Sequence, residues 1–205
     1  MRLTSLQQQV ATHTGVFLCE RINRSEETKT VQFCHVITPP AADADLPDVG
    51  RLRDFFATFG SVVFYVDKVS GDEGKRIAAP DEWPDLDSDF RGWIDNLSES
   101  ERLEILPDWI NNCLVIGEEP GTGNYLLMPV SGKTAGRVFL FDHDGYEFVE
   151  KATDLVDYAE RLLSPDDRLL ADIATHMRFI DGDPMIQWWI RELRDNRGNV
   201  STTAA

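Results

Sequence analysis

Residues 113–150 hold four β-rich runs with little chain between them: CLVIGEE (113–119), NYLLMPV (124–130), RVFLFD (137–142) and YEFVE (146–150). The links PGTG, SGKTAG and HDG are short and rich in turn formers. A parallel pair needs a crossover of about a dozen residues or more, so these strands have to pair antiparallel. In RVFLFD, Phe139 and Phe141 alternate with Val138 and Leu140, which predicts a strand covered on both faces. Leu155, Ala159 and Leu162 then mark a helix that packs back on the meander.

The flanking chain is read by the same periodicities. GVFLCERI (15–22) and KTVQFCHVI (29–37) predict an N-terminal hairpin whose loop spans Asn23 to Thr28. A Pro/Ala/Asp-rich connector follows at 38–48, then a helix over Val49 to Phe59 ended by Gly60. SVVFYVD (61–67) reads as a strand, and Lys75 to Ala79 as a short one. Phe90, Trp93, Ile94 and Leu97 share one helical face. Ser98 and Glu101 have capping-box spacing ahead of a helix stopped by Pro107. Ser164-Pro165-Asp166-Asp167 opens a helix to about Arg178. Asp183-Pro184 opens another through MIQWWIREL, and the tail from Arg194 reads as frayed. The fold class is α+β: a mainly antiparallel sheet with helices on one face, an N-terminal hairpin and a C-terminal helical extension over 164–205.

Charge narrows the partners. Asp and Glu number 36 against 20 Lys and Arg, a net charge of −16. Such a field repels phosphate backbones and anionic lipid, and attracts basic proteins. The excess concentrates between Asp81 and Pro120, where the basic residues are Arg91 and Arg102. Within this segment Asp85, Asp87, Asp89, Glu99, Glu101, Glu118 and Glu119 are candidate partner-binding acids, with Trp83 or Trp93 as an aromatic anchor.

Motifs for chemistry are missing. GTGN at 121–124 lacks the second half of a phosphate loop and sits between strands. Cys19, Cys34 and Cys113 are odd in number and show no CxxC spacing, which fits buried thiols in a reducing cytoplasm. His13, His35, His143 and His176 share no metal-ligand spacing. Asp142-His143-Asp144-Gly145 is the best local candidate for a cation or acid–base site, but a hairpin turn demands the same residues. No catalytic residue, metal or cofactor is therefore expected. No apolar run reaches the roughly 18–20 residues of a bilayer span, and Met1 to Val10 lacks a signal-peptide core.

CLVIGEEPGTGNYLLMPVSGKTAGRVFLFDHDGYE with ATDLVDYAERLL resembles the core of the SUKH superfamily, named partly for a fungal cell-wall-synthesis regulator. The shared features are the Ile116-Gly117 strand and its Gly-rich turn, the Asn124-Tyr125-Leu126-Leu127 strand, and the run from Val138 to Gly145. Leu46-Pro47 and Phe59-Gly60 resemble the family's opening, although the asparagine usual before that glycine is missing. The likeness covers about 46–163 of what reads as a single domain of 1–205. The N-terminal hairpin and the segment after 163 lie outside it.

The resemblance implies a binding domain without catalytic residues. Bacterial members are commonly immunity proteins that neutralise toxin domains, often nucleases or deaminases. Others are regulatory protein-interaction modules. Three readings stay open: an immunity protein against a basic toxin domain, a regulatory module of the same fold, and a small hydrolytic enzyme with a site near Asp142 to Asp144.

Overall fold

The computed structural model describes residues 3–40, 45–164, 170, 178–180, 183, 185–195 and 197–203. The fold is α+β with antiparallel strand pairing. The chain divides into two compact units: 1–37 with 63–75 and 161–205, and 38–62 with 76–160.

The first unit carries helix α1 (Leu3–Thr12), strands β1 (Gly15–Arg21), β2 (Arg24–Thr38) and β3 (Ser61–Asp67), and the late strands β9 (Arg178–Phe179), β10 (Trp188–Arg194) and β11 (Val200–Thr203). Their order is β11-β10-β1-β2-β3, with β9 beside β10. The expected six-residue hairpin loop is instead a tight turn: Arg21 pairs Arg24, and Asn23 takes the left-handed conformation with φ 65°. Asparagine tolerates that region better than most residues, so β2 begins earlier than its apolar run suggests. The α1 helix, which the sequence reading missed, seats Leu6 and Val10 in the core at i, i+4 spacing.

The C-terminal expectation needs correction. MIQWWIREL does not form a helix: Trp188–Arg194 is a strand that pairs β1 through Cys19 with Ile190 and Phe17 with Leu193. The tail expected to fray forms β11 on its far side. Trp188 and Trp189 therefore point to opposite faces, and Trp189 is exposed. The helix expected over Ser164 to Arg178 lies almost wholly outside the described residues. Its last residue, Arg178, belongs to β9.

The core of this unit is aromatic. Phe17 and Phe33 pack in a tilted pair at 4.7 Å and Phe33 meets Tyr65 edge-on at 5.0 Å. Tyr65 is fully buried yet has φ 60°, which is unfavourable for a bulky side chain. Two hydrogen bonds hold it: its amide donates to His35 Nδ1 at 3.0 Å, and its hydroxyl donates to the Leu162 carbonyl. Because His35 Nδ1 accepts, its proton sits on Nε2 and is donated to His13 Nδ1 at 2.7 Å. Both imidazoles are thus held neutral. Burial, with the His13 ring adding to it, pushes the His35 pKa down to about 3, and burial also lowers that of His13.

In the second unit β4 (Lys75–Ile77), β5 (Cys113–Glu119), β6 (Asn124–Pro129), β7 (Val138–Asp142) and β8 (Glu147–Ala152) lie in sequence order. The four-strand meander forms as its short links require. All of Val138 to Phe141 are buried, so both faces of β7 are covered. Helix α3 (Trp83–Ile94) seats Trp83, Leu86, Phe90 and Ile94. Its buried stripe therefore starts two turns earlier than expected, and Trp93 stands at its edge. Helix α4 (Glu99–Ile105) starts on the Ser98–Glu101 capping box. Helix α5 (Leu155–Leu163) starts where Asp154 accepts the amides of Val156 and Asp157.

The helix expected over Val49 to Phe59 shrinks to α2 (Leu52–Phe56). Gly50 and Arg51 have φ 53° and 58°, which no α-helix admits. Gly50 is bent this way against Gly136, where an added Cβ at either glycine would meet the other's backbone within 2.5 Å. Gly60, read as a helix stop, has another duty: a Cβ there would lie 2.1 Å from the Pro39 carbonyl oxygen.

Two outcomes follow from these contacts. Gly136→Ala adds a clash and a left-handed alanine, and should cost more than about 1–3 kcal/mol in denaturant unfolding. The unfolded chain, with histidine pKa near 6.5, binds more protons than the folded one between pH 6.5 and about 3. Stability therefore falls as pH drops through that window. The His35 contribution is about 2 kcal/mol between pH 7 and pH 5. Denaturant midpoints of the native chain and of His35→Gln should diverge above pH 5 by that dependence, with the variant showing the shallower slope.

Candidate protein interface

The geometry of the acidic segment begins with α3. Its apolar spacing turns Trp83, Leu86, Phe90 and Ile94 inward, so Asp85 and Asp89, one turn apart, share an exposed face. Phe90 meets Phe141 at 5.2 Å and Tyr125 at 5.9 Å, which fixes the helix on β6 and β7. Asp87 is half-buried and pairs Arg91 at 3.1 Å. On α4, Glu99 and Glu101 are exposed, and Glu101 is engaged as the capping-box partner of the Ser98 amide at 2.8 Å. The Ser98 hydroxyl, and after it that amide bond, hold the Glu101 carboxyl below its ordinary pKa.

Strand pairing places two further acids. Opposite Arg76 in the β4–β5 register, Glu118 forms an ion pair at 2.8 Å, and the same guanidinium also pairs Glu82. Glu119 is only 2 % exposed and accepts from Asn124 Nδ2 at 2.9 Å. Burial raises the Tyr125 hydroxyl pKa, and the Asp89 carboxylate adds to the rise.

Two of the nine sequence candidates thus leave the surface. Trp83 is buried, its indole donates to the Ala78 carbonyl at 3.2 Å, and its ring packs on Phe56 at 5.4 Å. Glu119 is an interior hydrogen-bonding group. The reason is the same in both cases: strand register and helix phase turn these side chains inward, and composition carries neither. Asp85, Asp89, Glu99 and Glu101 are exposed, while Asp87, Trp93 and Glu118 are half-buried. Among the described residues, Asp85, Asp89 and Glu99 form no ion pair.

A polar chain that the sequence reading missed runs behind this face. A carboxylate only accepts, so the Asn124 amide nitrogen must face Glu119 and its oxygen must face His143. That oxygen takes the His143 backbone amide at 3.1 Å and lies 2.9 Å from Nδ1. The His143 ring packs on Trp93 at 4.8 Å, and Gly123 leaves the room both rings need. The only local signal was the asparagine after the GTG turn.

Asp142, His143 and Asp144 place ligand atoms within 4.8 Å of one another, so the turn brings together three groups able to touch a cation. The same atoms serve the hairpin: Asp142 Oδ1 accepts the Asp144 amide at 3.0 Å, and His143 Nε2 lies 3.1 Å from Asp144. Cys113, the acidic segment's one thiol, donates to the Ile110 carbonyl at 3.2 Å. Burial holds its pKa up at about 11, which favours the thiol over the thiolate at neutral pH. No helix among the described residues is long and apolar enough to cross a membrane.

Truncation separates interior from surface roles. Trp83→Ala should cost about 3–5 kcal/mol of stability, as core aromatics do. Asn124→Ala removes a donor to Glu119 and an acceptor for His143, and should cost about 2–3 kcal/mol. Asp85→Asn and Asp89→Asn should stay within about 0.5 kcal/mol of the native chain in urea titrations. No family model, curated protein or solved structure matches the chain.

Proposed function

We propose that this chain is a non-catalytic, SUKH-like immunity protein that captures a basic toxin domain with the acidic face of α3 and α4. The observation that carries the reading is the set of exposed carboxylates, Asp85, Asp89 and Glu99, that form no ion pair among the described residues. Exposed charges without a counter-ion, concentrated on one sequence segment, suit long-range steering of a cationic partner. With a net charge of −16, the surface can stand in for the phosphates that a nuclease domain normally meets. The high pKa of Cys113 and the turn duties of Asp142 support a binding role over a hydrolytic one. Cys19, Cys34 and Cys113 form no disulfide, which suits a reducing compartment such as the cytoplasm.

The test uses the product of the neighbouring gene as partner and a variant with Asp85, Asp89, Glu99 and Glu101 changed to their amides. Glu101→Gln preserves the capping geometry, since glutamine also serves at that position. The association rate should fall by about tenfold at low salt, and its salt dependence should flatten. The dissociation rate should change little. Equal rates and equal salt slopes for native and variant chains would remove this face from the interface.

A further inference from the structure

Helix α4 is anomalous for a folded chain: none of its side chains is buried. Its capping box holds it locally, while Leu103 is 83 % exposed. Between α3 and the α4–β5 connection lies a groove of about 340 Å3. Ile94, Leu103, Leu106, Pro107 and Ile110 supply its apolar lining. Ile94 and Ile110 are buried in its floor, and Leu103 forms an open lip.

The rim decides what fits there. Arg91 is paired with Asp87 at 3.1 Å and Arg102 with Asp95 at 2.9 Å, so both cations beside the groove are matched. Glu99, Glu104 and Asp108 add exposed negative charge nearby. An occupant must therefore present an apolar side chain to the floor and cations to the rim. An acidic or purely polar segment meets one requirement or neither.

We infer that the α3–α4 groove is an anchor site for the apolar side chains of a lysine- or arginine-rich amphipathic segment of a protein partner. This rests on the basic-partner reading above and adds the place where the partner's apolar residues enter. Of the two aromatic anchors suggested by the sequence, Trp83 is buried and Trp93 is half-buried against His143, and Leu103 with the groove behind it offers an open apolar anchor. Buried apolar anchors ringed by charge are where interfaces concentrate their binding energy. The acids then govern encounter, and the groove governs residence.

The experiment uses the full chain and three fluorescent synthetic peptides of about 14 residues, long enough to form a helix on docking. The first carries leucines at i, i+3, i+4 and i+7 with lysine elsewhere. The second keeps the lysines and replaces the leucines by alanine. The third keeps the leucines and replaces lysine by glutamate. The Leu/Lys peptide should bind at least about tenfold more tightly than the other two. Leu103→Ala should weaken it by about tenfold, while Val69→Ala, at a residue 91 % exposed, should not. Leu103 is exposed, so its variant should keep the native melting curve. Equal binding of the Leu/Lys and Ala/Lys peptides, or no effect of Leu103→Ala, overturns the anchor. If both lysine peptides still bind in a salt-dependent way, the basic-partner reading stands without it. Equal binding of the Leu/Glu peptide overturns both.

Discussion

Phe90 seated against Phe141 and Tyr125 is the contact on which the acidic face depends. It fixes the rotation of α3 about its own axis. Once Phe90 points at the sheet, the 3.6-residue period sends Leu86 and Ile94 inward with it and leaves Asp85 and Asp89 outside. A rotation of one residue, about 100°, would bury an aspartate and expose an aromatic, at a cost far above the gain of any surface ion pair. The charge display is therefore a consequence of hydrophobic packing.

The acids of this segment divide by what surrounds them. Glu82, Glu118, Asp87 and Asp95 have arginine partners, Glu101 caps α4 through Ser98, and Glu119 has Asn124. These bonds stabilise local structure and contribute little field to a distant partner. The remaining carboxylates face water, where their mutual repulsion works against the compact state. Helix α4, in which no residue is fully buried, adds to this exposed charge through Glu99 and Glu104.

The first unit shows the same economy applied to polarity inside a core. Tyr65 breaks the regular strand with a left-handed backbone, and its amide finds the His35 ring. His35 in turn satisfies its second nitrogen on His13. A buried polar group without such partners would cost several kcal/mol, so the three residues stand or fall together. Residues 13, 35 and 65 are far apart in sequence, and no spacing rule connects them.

What the amino-acid sequence determined by itself was local: the meander of 113–150 through its short links, the Ser98–Glu101 cap, the helix after Asp154, and the charge of the middle segment. Each depends on neighbours within a few positions. The fate of MIQWWIREL was decided elsewhere, because its Trp and Ile content suits a strand as readily as a helix and its partner, β1, lies about 170 residues away. The length of α2 was set by Gly136 pressing on Gly50. The burial of Trp83 and Glu119, and the meeting of Asn124 with His143, followed from strand register and helix phase. Side-chain type fixes which groups must be dry or paired. Only the tertiary structure chooses the partner, since the contacts that satisfy them join residues that sequence distance keeps apart.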